Sequence, residues 1–108
     1  MPAKTDRIQD AALRDSMAQA HESLRGGDYA DVVRRAADAY IELVRRKPDL
    51  LQPQNYLRTI LFFPRLGARL QLDNQGQPEV IYDREKFIFS EAVTYYEFTV
   101  DSLVREGL

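Results

Sequence analysis

Apolar residues recur at helical spacing through one stretch above all, GGDYADVVRRAADAYIELVRRK, from Gly26 to Lys47. Tyr29, Val32, Val33, Ala36, Ala37, Tyr40, Ile41 and Val44 form a continuous stripe that water penalises unless another element covers it. The preceding segment supplies the cover. There Leu13, Met17, Ala20 and Leu24, extended by Ile8 and Ala12, make a thinner, Ala-rich stripe that lets a neighbour approach closely. The spacing predicts a first helix from residue 5 to about Arg25, capped by Thr5 or Asp6, and a second over about 28–47, capped by Asp28. Gly26-Gly27 ends the first helix, because glycine takes the left-handed conformation at little steric cost. Asp31 in the first turn of the second helix and Arg45-Arg46-Lys47 in its last complement its dipole, and Pro48 stops it. So short a connection forces the two helices to pack antiparallel.

Beyond Pro48 the pattern changes twice. Pro53 and Pro64 bracket Gln54–Phe63, read as a short third helix with Tyr56, Leu57, Ile60, Leu61 and Phe63 on its apolar face. The run TILFF is also rich in β-branched and aromatic residues, so a strand is the alternative there. From Ala68 the period becomes two: Ala68, Leu70 and Leu72 alternate with Arg69, Gln71 and Asp73. The turn formers from Asp73 to Pro78 and then Val80-Ile81-Tyr82 complete a short β-hairpin at about 68–82. A lone hairpin is marginal in water, so this one must lean on the helices. Phe87 and Phe89 alternate with Lys86, Ile88 and Ser90 before the helical period returns in Ala92, Val93, Tyr96, Val100, Leu103 and Val104. Ser90 is the expected N-cap of this C-terminal helix, with Asp83 as an earlier alternative start. The predicted class is mainly α: a small helical bundle in one domain over 1–108, with an antiparallel helical hairpin, a C-terminal helix and a short β-hairpin insert.

Composition narrows the function more than it identifies it. The 108 residues, 44% hydrophobic and 30% charged, suffice for one core of three or four helices. A net charge of −2, from 15 basic and 17 acidic residues, gives no electrostatic case for general nucleic-acid binding. There is no cysteine, hence no disulfide and no thiolate metal site, as suits a reducing cytoplasm. The opening MPAKTDRIQDAALRD is too charged for a signal peptide, and the longest apolar run, Ile60–Phe63, is far short of the ~20 residues that span a bilayer. The expectation is a soluble cytoplasmic protein without membrane association. With a single histidine, and Glu85, Glu91 and Glu97 each six apart, a metal site is not expected. No phosphate-binding, dinucleotide or nucleophile-elbow glycine motif occurs, and no cofactor is expected.

Gly27-Asp28-Tyr29 and the small and apolar residues after it resemble the turn and second helix of a tetratricopeptide repeat, with Ala20 and Ala39 where that repeat places small residues. Ser16, Gln19 and Ser23 replace its large apolar residues, and nothing recurs at a 34-residue period. GDYADVVRRAADAY and the final SEAVTYYEFTVDSLV also resemble the HEPN class of helical bundles. That resemblance implies a partner of nucleotidyltransferases or a ribonuclease using an Arg and a His separated by four to six residues. Arg14 and His21, two turns apart on one predicted helix face, meet the outer limit of that spacing, with His as general base and Arg stabilising phosphate charge. The competing reading is a boundary histidine that continues the stripe of Leu13 and Met17.

Two surface features remain. Arg34, Arg35, Arg45, Arg46 and Lys47 form either a basic patch or a solvated face with a dipole-complementing end. Tyr82, Phe87, Phe89, Tyr95 and Phe98 concentrate aromatics in the C-terminal third and are the candidate interface, with packing of the hairpin onto the helices as the alternative. The leading expectation is a noncatalytic protein-interaction module, self-associating or bound to another protein. A HEPN-like nucleic-acid-acting protein built on Arg14 and His21 is the alternative.

Overall fold

The computed structural model describes residues 4–51 and 64–108. Within them the chain forms α1 (Ala11–Gly26), α2 (Tyr29–Arg46), β1 (Ala68–Leu72), β2 (Pro78–Tyr82) and α3 (Phe89–Arg105). This is the helical bundle with a β-hairpin insert that the hydrophobic pattern predicts. The helix-or-strand segment Gln54–Phe63 lies outside the described residues.

The α1–α2 hairpin follows from local chemistry. Gly27 at φ 85° lets α1 close with a double clasp: Gly27 N–H reaches Leu24 O, and Asp28 N–H reaches Ser23 O at 2.9 Å. Asp28 then accepts from Asp31 N–H and starts α2. At the far end Arg46 pairs with Asp10 at 2.7 Å, which places the end of α2 beside the start of α1 and makes the pair antiparallel.

The start of α1 departs from the expectation. Thr5 and Asp6 do not cap it; they lie in a short 3₁₀ turn, Lys4–Arg7, and Asp10 is the N-cap, accepting from Leu13 N–H at 2.9 Å. The reason is long-range. A continuous helix would direct Asp10 N–H to the carbonyl four residues back, but that N–H donates to Leu108 O. Ile8, in the break, is fully buried, whereas Ala12 is exposed and outside the stripe.

Helix α2 is the centre of the molecule. Val32, Val33, Ala36, Ala37, Ala39, Tyr40, Ile41, Leu43 and Val44 are all buried, because α1, α3 and β2 pack on different sides of it. Tyr29 meets Phe89 at the start of α2 and α3 (ring centroids 5.9 Å apart), and Tyr40 meets Phe98 further on (5.4 Å). Both contacts advance together, so α2 and α3 run parallel. A parallel pair needs a return path of a whole helix length, about 27 Å for the 18 residues of α2. The hairpin lies on that path.

The hairpin pairs Ala68 with Tyr82 through to Leu72 with Pro78. Asp73 organises its turn by accepting from Gln75 N–H (2.8 Å) and Gln77 N–H (2.9 Å), with Gly76 at φ 78°. Ala68 and Leu70 are buried, but Leu72 is 53% exposed, since the alternation runs past the edge of the helices.

Candidate functional site

The predicted aromatic surface divides at the start of α3. Tyr95 is fully buried, and its hydroxyl accepts from Ala68 N–H and donates to Ala68 O, both at 3.0 Å. Burial pushes its phenol up to about 12, its hydrogen bond to Ala68 opposing. Phe87 is 9% exposed and sits edge-on to Tyr95 at 6.2 Å, with the Arg84 guanidinium over its ring at 5.6 Å. Phe98 is half-buried against Tyr40. These three build the interior and its margin. Tyr82 and Phe89 stay exposed, Phe89 at 55%. Partial burial of Tyr82 and then the Asp38 carboxylate push that phenol up to about 12.

Phe87 and Phe89 do not share a face as the alternation predicts, because α3 begins at Phe89 and the period changes between them. Ser90 is not the cap. Ile88 holds the N-cap position and Ser90 lies exposed in the first turn. Glu91 Oε1 accepts the Ile88 N–H at 3.0 Å, the N3-to-N-cap half of a capping box, while Ile88, lacking a side-chain acceptor, makes no cap bond of its own. Phe89 is in phase with Tyr96 and Val100, but it overruns the end of the bundle, where Tyr29 meets it edge-on. Ile88 beside it is 61% exposed. The resulting corner of Tyr29, Ile88 and Phe89 keeps only Phe89 from the predicted set. Spacing places Tyr29 in the core and Ile88 in the polar phase of an alternation; a bulky apolar side chain in that phase is the available signal.

Arg14 and His21 are engaged separately. Arg14 Nη1 donates to Ile8 O at 3.0 Å, towards the start of α1, while the His21 ring stacks on Tyr96 at 5.8 Å. Among the described residues no hydrogen bond or ion pair joins the two. Within the basic group, Arg35 pairs with Asp31 at 2.8 Å and Arg46 with both Asp10 and Glu42, so acids offset part of its charge. Among the described residues no three His, Cys, Asp or Glu side chains gather as a metal site, and no helix is long and apolar enough to cross a membrane.

No family model matches the chain, and comparison with curated proteins and with solved structures likewise finds no match, so neither the tetratricopeptide nor the HEPN resemblance gains support there.

Proposed function

We propose that the chain is a noncatalytic protein-interaction module that binds a protein partner through the corner of Tyr29, Ile88 and Phe89. The observation that carries this reading is the exposure of two adjacent large apolar side chains, Ile88 at 61% and Phe89 at 55%, at the start of a helix otherwise built into the core. Isolated exposed apolar residues are common on protein surfaces, whereas adjoining ones backed by an aromatic ring offer a desolvated anchor. The separate engagement of Arg14 and His21 favours a binding role over RNA cleavage.

The test is an affinity capture from the native cell with the full chain and with an I88D/F89D variant, each split into nuclease-treated and untreated halves. The same partner, retained by the wild type in both halves and lost by the folded variant, supports the reading. Equal retention by the variant, or loss on nuclease treatment, overturns it. Sedimentation of both proteins decides whether the partner is a second copy.

A further inference from the structure

The opposite end of α3 carries a different surface. A groove of about 290 Å³ lies between the Lys4–Arg7 turn and the last turns of α3, lined by Lys4, Arg7, Val100, Asp101, Val104 and Arg105. Its helix lining lies about 16–24 Å along α3 from Phe89, at the other end of the helix. Three of its six lining residues are cations and one is an anion, in a chain whose net charge is −2.

These cations are weakly committed. Lys4 reaches Asp101 only at 3.8 Å, with both side chains more than half exposed. Arg105 stands 3.5 Å from Glu106 and donates to Ser102 Oγ at a long 3.4 Å. Arg7 has no ion-pair partner among the described residues. Between them half-buried Val104 offers apolar surface, over the fully buried Val100.

We infer that this groove docks an acidic peptide segment of another protein, with one carboxylate against Arg7 and Arg105 and a neighbouring aliphatic side chain on Val104. Charge complementarity supplies the argument for the acid, and the accessible part of Val104 for the aliphatic neighbour. Asp101 lowers the positive charge of the lining, which disfavours a multiply charged phosphate chain more than a single carboxylate, and its oxygens can accept a peptide N–H. The volume falls at the low end for ligand sites, which suits two or three side chains rather than a folded domain. This docking site is separate from the Phe89 corner and does not depend on it.

Amide NMR of the isotope-labelled full chain tests it, with acetyl-Ser-Glu-Val-Asp-Ser-amide as probe, a control peptide carrying lysine for both acids, and inorganic phosphate. The expected result is saturable shifts confined to residues 4–7 and 100–106 with the acidic peptide alone. R7E/R105E should weaken binding by about tenfold or more while the spectrum stays dispersed. R7A, at an exposed site outside the helices, serves if that double variant does not fold, and should weaken binding several-fold. Absence of saturation up to about 1 mM peptide overturns the inference. So do equal shifts from phosphate or the control, or unchanged affinity in the variants. Shifts at Tyr29, Ile88 and Phe89 instead would also overturn it, while leaving the aromatic corner as the binding surface.

Discussion

The α1–α2 junction and the junction between the β-hairpin and α3 are held together by different means. Helices α1 and α2 meet through small and branched side chains, with Ala20, Val32 and Ala36 fully buried, and polar contacts serve the margins, as in Ser23 to Asp31 and Arg46 to Asp10. The hairpin joins α3 through specific polar clasps. Tyr95 satisfies both backbone groups of Ala68, and Arg84 grips Glu91, with Nη2 to Oε2 at 2.9 Å and Nη1 to Oε1 at 3.2 Å. Gly67 at φ 109° lets the clasp close, since a Cβ there would sit 2.5 Å from Arg84 Nε. A two-stranded hairpin has too little apolar surface to hold itself by burial alone, so directional bonds fix where it sits. The first junction should therefore tolerate loss of one polar contact better than the second.

Four substitutions sharpen that contrast. A36E places a charge at a fully buried position of the α1–α2 junction and should unfold the protein, a loss exceeding about 4 kcal/mol. Thermal unfolding followed by circular dichroism checks it, and a native-like transition would refute the packing described. Y95F keeps the ring but strands Ala68 N–H and O, at a cost of about 1–3 kcal/mol. Hydrogen exchange should then rise first in β1 and β2; equal rises in α1 and α2 would show the junctions to be one unit.

E91Q removes the charge that Arg84 pairs with while keeping an acceptor for Ile88 N–H. Because Arg84 is 41% exposed, the expected loss is about 0.5–1 kcal/mol in chemical denaturation. The smallest effect is D31N, read through pH. Ser23 first, and then Arg35, hold the Asp31 carboxyl below its ordinary 3.8. A depressed folded-state value means that its stabilisation is complete above 3.8 and fades as pH falls through the lower value. D31N should therefore flatten the acid side of the melting-temperature profile, and an unchanged slope there would exclude the effect. Tyr95 has the opposite sign: its phenol is raised from 10.0 to about 12, so stability is intact below 10 and lost as pH rises through 12.

The legibility of the chain differs between the same two regions. Gly27, Asp28, Asp31 and Pro48 announce the α1–α2 hairpin because each acts on backbone groups within one helical turn. The β-hairpin is equally local, with Asp73 and Gly76 setting its turn. The start of α1 is not legible locally, because Leu108, distant in the chain, takes the Asp10 N–H. Ser90 reads as a cap because its residue type is a good one, but α3 starts at Phe89 and the N-cap position falls two residues earlier, at Ile88. Tyr95 and Phe98 carry no sign in sequence of which aromatic turns inward, and the groove of Lys4, Arg7 and Arg105 has no local signature at all.

Periodicity, caps and turn residues by themselves determined the helices α1, α2 and α3, the hairpin, and the central place of the α2 stripe. Those signals act through hydrogen bonds and phases spanning a few residues, which one chain segment contains within itself. Tertiary structure decided that α2 and α3 run parallel, that Tyr95 binds Ala68 across a separation of 27 residues, and that Phe89 overruns the bundle into solvent. Each of these depends on where a distant segment ends, and no local pattern encodes that.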